Sequence, residues 1–250
     1  MTGATLEVKG LSLRFGAFQA LSDVNFSIPA GGVHAFIGPN GAGKTSLFNC
    51  ITGLRKPGAG AVLLDGVNLV GMSPQRRVRQ GLARSFQVTN IFPDLSVLEN
   101  VRLCIQALRG AEACSPLPAV RSQAAQAAQA MALLEELALH PHAQRAASSL
   151  PHGLQRRLEI AMALAANPRV LLLDEPTSGM GVDDLRDMTE LIGRLGRTRT
   201  VVLIEHNIRL VMSISQDVTV LHRGSVLVSG HPQEVAGHPE VKSAYLGSQG

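Results

Sequence analysis

The chain has 250 residues, 45% of them hydrophobic and 17% charged, enough apolar material for a real core and too much for a disordered polymer. A net charge of +4, no Trp and a single Tyr, Tyr245, supply neither the basic stripe nor the stacking platform that nucleic acid requires, so nucleic-acid binding is not expected. Cys50, Cys104 and Cys114 lack CxxC spacing and read as free thiols, the N-terminus has no basic-then-apolar leader, and no apolar run reaches the ~18 residues of a spanning helix; a soluble, intracellular chain is expected.

Leu11, Leu13 and Phe15 alternate with polar residues, as do Val24, Phe26 and Ile28, and both stretches read as half-buried strands. Val33 to Ile37 is a short apolar run that reads as a buried strand. Gly38-Pro39-Asn40-Gly41-Ala42-Gly43-Lys44-Thr45 follows, and a helix from Thr45 to Thr52 stops at Gly53. Strand, glycine-rich loop and helix form the setting in which G-x-x-x-x-G-K-[ST] cradles phosphate. Glycines let successive N–H groups turn inward as an anion nest, and the helix aims its positive end at the same place. Gly38, Pro39, Asn40, Gly41, Ala42, Gly43, Lys44, Thr45 and Ser46 are the expected phosphate contacts. Lys44 would reach the β- and γ-phosphates, and the Thr45 hydroxyl would bind Mg²⁺.

Ala61 to Leu64, Asp65-Gly66 and Val67 to Leu69 predict a hairpin on a tight primed turn. Ser73 and Pro74 are the N-cap and first position of a short helix. Leu82 to Phe86 reads as a strand broken at Gln87, a hinge and Mg²⁺ or water contact. Ser96-Val97-Leu98-Glu99 has the capping-box pattern of a helix start. A loop over Gly110 to Pro118 precedes an Ala/Gln-rich run from Ala119 to Leu139, with Ala127, Met131, Leu134 and Leu137 as its apolar stripe. Residues 88–155 are expected to form a helical lobe inserted in an α/β core of 1–87 and 156–250, all one domain. Leu150-Pro151-His152-Gly153-Leu154-Gln155 reads as a glycine-containing turn opening a helix.

The α/β pattern resumes with a buried strand over Val170 to Leu173, a helix over Asp183 to Gly193, a buried strand over Val201 to Ile204 and a helix over Asn207 to Ser215. Val218 to Leu221 and Val226 to Ser229 pair around Arg223-Gly224. Asp174 and Glu175 stand at the carboxyl end of their strand, the edge of an open sheet where ligands sit. Asp174 would hold Mg²⁺ through its water shell, and Glu175 would polarise an attacking water. His206 ends a second apolar strand; taken alone it reads as a satisfied polar residue.

The order of these stretches resembles the nucleotide-binding cassette of ABC transporters over essentially the whole chain. The resemblance implies a P-loop NTPase cassette with a mixed central sheet, an antiparallel β subdomain and an inserted helical lobe. It implies ATP and Mg²⁺, an adenine-stacking aromatic at Phe15, a glutamine loop at Gln87 and a switch histidine at His206. It also implies a signature at Leu150 to Gln155, whose Pro151, His152, Gly153 and Gln155 would contact the ATP of a second subunit. Phe48-Asn49-Cys50-Ile51-Thr52-Gly53, Arg84-Ser85-Phe86-Gln87, Gln155 to Ala161, Leu203 to Asn207 and Ala244-Tyr245-Leu246-Gly247 are similar to the ATPase subunits of branched-chain amino-acid importers. Urea and amide importers share this pattern and are the alternative cargo reading; a soluble non-transport ABC ATPase and a nucleotide-dependent interaction module are the readings from other classes. The implied partners are a second ATPase subunit in a heterodimer or homodimer, two membrane permeases docked over Ile91 to Val101, and an extracytoplasmic solute-binding protein. The implied location is the cytoplasmic face of the inner membrane. Two positions depart from the family pattern: Pro151 replaces the usual signature Ser, and Gly181 replaces the usual Asp or Asn.

Overall fold

A computed structural model describes residues 3–85, 91–108 and 119–246, with side chains left undescribed at 119–122 and 245–246. In chain order the elements are β1 (Leu6–Phe15), β2 (Phe18–Ile28), β3 (Val33–Ile37), α1 (Lys44–Thr52), β4 (Ala59–Leu64), β5 (Val67–Asn68), α2 (Pro74–Arg79) and β6 (Leu82–Arg84). Helices α3 (Val97–Leu108), α4 (Ala119–Glu136) and α5 (His152–Leu164) follow. The chain continues with β7 (Val170–Asp174), α6 (Val182–Gly196), β8 (Thr200–Ile204), α7 (Ile208–Ile214), β9 (Asp217–His222), β10 (Ser225–Gly230), α8 (Pro232–Gly237) and α9 (Pro239–Leu246). They divide into two compact units, one of residues 1–84, 169–175 and 189–250, the other of 85–168 and 176–188.

The first unit holds two sheets. Six strands run in the order β10-β9-β3-β8-β7-β6, parallel except for the antiparallel β9–β10 edge. Four more form the antiparallel order β2-β1-β4-β5. Every residue of β3, β7 and β8 is buried, so their sequences are predominantly apolar, as strands covered on both faces must be; inside β3 the buried His34 places its Nε2 2.9 Å from the Thr219 hydroxyl. Both hairpins turn as read: Asp65 and Gly66 have φ of 46° and 79°, and Arg223 and Gly224 have 49° and 81°, the pair of positive values a primed turn needs. The core joins Leu6, Leu11, Leu21 and Ile28 of the antiparallel sheet to Phe36 of β3, to Leu47, Phe48 and Ile51 of α1, and to Leu172 and Ile204.

Helix α1 ends where glycine takes over, at Gly53 with φ 81°. Its last carbonyls are met by a buried cation: Arg77 of α2 donates through Nη1 to the Cys50 and Ile51 oxygens at 2.7 and 2.6 Å, and through Nε to Met72 at 3.2 Å. Ser73 caps α2 as expected, its Oγ accepting from the Arg76 N–H at 3.4 Å. β6 stops at Arg84, shorter than the strand read to Phe86. Phe86, Gln87 and the loop over 110–118 lie outside the described residues.

The second unit is helical. Val97, Val101 and Ile105 of α3, Ala130 and Leu134 of α4, and Leu158 and Ala161 of α5 are among its buried apolar residues, with Leu137 just past α4. Ser96 starts α3 by accepting from the Glu99 N–H at 3.1 Å. Glu99 itself turns to Arg102. The buried stripe of α4 is rotated from the one expected: Gln126 and Ala130 are buried, whereas Ala127 and Met131 are half-buried. A polar Gln enters the interior because Arg102 of α3 donates to its Oε1 at 3.0 Å. Gly153 lies within the first turn of α5 rather than in a turn before it. Among the described residues no helix is long and apolar enough to cross a membrane.

Candidate functional site

The buried strand β3 delivers the chain to Gly38, and backbone contacts then fix the loop. Gly38 has φ 149°, and a Cβ there would stand 2.1 Å from the Leu221 carbonyl oxygen of β9. Gly43 has φ 104°, and its Cβ would stand 2.8 Å from the Ala20 oxygen of β2. The Gly224 N–H, from the β9–β10 turn, donates to the Ala42 oxygen at 3.0 Å. Among the described residues no side chain caps α1, and no acid sits in its first turn, so its leading N–H groups and the positive end of its dipole are left for an anion. Thr45 is exposed and Ser46 half-exposed on that first turn.

Lys44 is only 7% exposed, and its Nζ donates to the Gly38 and Pro39 oxygens at 2.6 and 3.0 Å. Burial lowers its pKa from the ordinary lysine value, and the nearby Glu175 and Asp174 charges push it back up. Those carboxylates counterbalance the buried cation, which lies folded against the loop it would share with phosphate.

β7 presents the two acids differently. Asp174 is 1% exposed; Arg84 of β6 donates to its Oδ2 at 2.6 Å, while Oδ1 has no hydrogen-bond partner among the described residues. Glu175 leaves the strand in the left-handed region, φ 47°, with its N–H on the Ile204 oxygen at 2.9 Å. Such a conformation costs a non-glycine residue about 1–3 kcal/mol and turns the side chain out of the strand's alternation. The Glu175 carboxylate meets His206, with Oε1 2.7 Å from Nε2. The ring is carried there two residues past the end of β8, and the next residue, Asn207, caps α7 through Oδ1. Taken by itself His206 reads as an isolated polar residue, and only the family resemblance implies a switch histidine; the structure joins it to Glu175.

Phe15, at the end of β1, is 45% exposed with the Arg55 guanidinium 5.8 Å from its ring centroid. Thus Phe15, the loop from Gly38 to Ser46, Asp174, Glu175 and His206 all belong to the sheet unit. Pro151, His152, Gly153 and Gln155 belong to the helical unit. There Pro151 is the N-cap of α5; its oxygen accepts from the Leu154 and Gln155 N–H groups, both at 3.0 Å. Gln155 donates to the Leu150 oxygen at 3.0 Å. A Cβ at Gly153 would fall 2.7 Å from the Asp184 carboxyl carbon, so a larger residue there would push the exposed Asp184 side chain of α6 aside. Gln87 lies outside the described residues.

Sequence reasoning gave no role to Arg84, Asn49 or Arg55. Arg84 was visible only as a letter in the stretch before Gln87, and its partners come from α1 and β7, distant in sequence. Among the described residues no three His, Cys, Asp or Glu side chains gather to hold a metal. A hard cation here must therefore take its remaining ligands from water and phosphate, the usual habit of Mg²⁺. The orphaned, buried Asp174 Oδ1 and the exposed Thr45 hydroxyl are oxygen donors of the right kind.

A glycine loop between buried strand and uncapped helix, with an acid-bearing strand in the same parallel sheet, defines a P-loop nucleotide-binding protein. A family profile described as ABC transporter matches residues 21–178, and the chain belongs to the ABC transporter family. Its cassette binds ATP. The chain is 39% identical to the high-affinity branched-chain amino acid transport ATP-binding protein BraF of Pseudomonas aeruginosa, and 38% to LivG of Escherichia coli, each over 99% of both chains. It is 34% identical to the lipopolysaccharide export ATP-binding protein LptB of Acidithiobacillus ferridurans, over 98% of the chain and 97% of the relative. Among solved structures, an ATP-binding cassette of an ABC transporter in its ADP conformation superposes with a TM-score of 0.84 at 29% identity, covering 98% of this chain and 99% of that one. A nucleotide-free cassette gives 0.84 at 28%, covering 97% and 98%.

Proposed function

We propose that this chain is the ATP-hydrolysing subunit of an importer for branched-chain amino acids. It works as a peripheral subunit on the cytoplasmic face of the inner membrane, beside a second ATPase subunit, two permeases and an extracytoplasmic solute-binding protein. The cargo reading is supported by the full-length similarity to BraF and LivG. The observation that carries the chemistry is the Glu175–His206 contact at 2.7 Å, in the same unit as the phosphate loop.

The uncapped N-terminus of α1 and the loop N–H groups receive the β- and γ-phosphates. Lys44 exchanges carbonyl contacts for phosphate oxygens and neutralises charge as the γ-phosphoryl leaves. Mg²⁺, held by the Thr45 hydroxyl and through water by Asp174, would add a second positive charge at the phosphates. Glu175 accepts a proton from the attacking water, whose oxygen bonds to the γ-phosphorus as the bond to ADP breaks. His206 orients that carboxylate and lies ready for the γ-phosphate. Gln87 would sense the same water, and Phe15 would stack on adenine.

Each ATP would be completed by the signature of the opposite subunit. This chain lends its partner an exposed Pro151, which has no hydroxyl and no N–H, where a charged hydrogen bond is worth about 1.5–3 kcal/mol. Gly181 likewise offers no side chain across the pair. In a heterodimer whose other subunit carries the usual signature, the site built on this chain's own loop is therefore the stronger of the two. Glu175→Gln stops most turnover of the assembled transporter, and the matching substitution in the partner costs less; equal losses would sink the asymmetry. The cargo is tested by reconstituting the complex in vesicles with radiolabelled leucine, urea and an acidic amino acid. ATP-dependent uptake of leucine is expected, and uptake of urea alone would overturn the assignment.

A further inference from the structure

We infer that Arg84 is a positioning residue for the metal-binding edge of the ATP site, tying the strand that carries Asp174 to the helix that carries Thr45. Its guanidinium forks between two elements. Nη2 donates to Asp174 Oδ2 on β7 at 2.6 Å, and Nη1 donates to Asn49 Oδ1 on α1 at 2.7 Å. The plane lies over the Phe48 ring, 5.6 Å from its centroid. The Arg84 and Asp174 side chains are 7% and 1% exposed, so neither is tethered by solvent. Asn49 stands one turn along α1 from Thr45, on the same face of the helix.

Three consequences follow. A carboxylate held through one oxygen by an anchored guanidinium is restricted in its rotation, and Arg84 takes Oδ2 while Oδ1 has no hydrogen-bond partner among the described residues. The oxygen left over is the one that can serve the metal's water shell. The buried Asp174 charge is balanced by a cation that is always protonated and never needs to leave. The Asn49 contact sets where α1, and with it Thr45, stands relative to that carboxylate. A lysine could reach one partner but not both in a planar fork.

The inference rests on the metal-dependent reading above, and metal binding separates the two. The full-length chain, loaded with ADP, is titrated with Mn²⁺ by electron paramagnetic resonance, and ADP affinity is measured in excess chelator. Wild type binds Mn²⁺ only with nucleotide present; no binding at all would overturn the metal reading itself. Arg84→Lys and Arg84→Met weaken Mn²⁺ at least about tenfold while metal-free ADP affinity stays within about twofold. Asn49→Ala, which keeps the buried ion pair and serves if the Arg84 variants do not fold, weakens Mn²⁺ about threefold. Unchanged Mn²⁺ affinity in the variants, or an equal fall in metal-free ADP affinity, overturns the positioning role.

Discussion

Replacing Gly38 with alanine tests whether the phosphate loop is shaped by backbone packing from outside itself. The new methyl would stand 2.1 Å from the Leu221 carbonyl oxygen, where carbon and oxygen ordinarily approach no nearer than about 3.3 Å. That oxygen belongs to β9, whose neighbour in the sheet is β3, so it cannot yield; the loop must move by about 1 Å instead. A displacement of that size at a positioning group costs on the order of 100-fold. The φ of 149° adds roughly 1–3 kcal/mol of backbone strain, a fall of about 2–12 °C in Tm for a chain this long. Gly41→Ala is the control: its φ is 78°, yet among the described residues nothing lies within 4 Å of its added Cβ, so it bears only the ~1–2 kcal/mol of a left-handed alanine. ADP affinity by calorimetry and Tm by scanning fluorimetry are the readouts. Gly38→Ala should lose about 100-fold in affinity, and Gly41→Ala should show its strain chiefly in Tm. Nucleotide affinity equal in both variants would refute the argument that Leu221 sets the loop.

His206→Ala should lower kcat about 10- to 100-fold, and adding it to Glu175→Gln should cost nothing further if the two act as a unit; multiplicative losses in the double variant would separate them. His34, 4% exposed, has its pKa pushed by burial from 6.5 down to about 4, with Asp217 opposing. Below pH 6.5 the unfolded chain takes up the proton that the fold refuses, so roughly 3 kcal/mol of stability present above pH 6.5 is lost as pH falls toward 4. Urea unfolding from pH 4 to 8 checks this, and His34→Gln should flatten the slope. Arg77→Ala removes the guanidinium from the Cys50, Ile51 and Met72 carbonyls, of which Cys50 keeps the Gly53 N–H at 3.3 Å, and should cost about 3 kcal/mol in chemical denaturation; a loss under about 1 kcal/mol would mean that water replaces the guanidinium.

The elements that carry the site were the easiest to read. β3, β7 and β8 are buried on both faces and short, so each is a largely apolar run with its functional residues at or just past the carboxyl end. Asp65-Gly66 and Arg223-Gly224 announced their turns because few residues tolerate two successive positive φ values. What escaped was set by distant partners. Gln126 is buried on account of an arginine in another helix, which rotates the α4 stripe. The full length of β2 was missed because Phe18 to Leu21 break the alternation at register shifts against β1. α8 and α9 are short helices whose main announcement is a proline at the first position. The Glu175–His206 pair and the Arg84 fork exist only once separate strands lie side by side.

The phosphate loop is closed by residues far from it in the chain: Ala20 on one side, Leu221 and Gly224 on the other. During synthesis Lys44 leaves the ribosome on the order of 10–40 s before Gly224, at roughly 5–20 residues per second. Until β9 and β10 arrive, the loop lacks the carbonyl that fixes Gly38 and the N–H that holds Ala42. A nascent chain, or one truncated before Gly224, therefore carries the complete phosphate-binding motif without the receptor it encodes, and cellular ATP can stabilise this subunit only after β9 and β10 have been made.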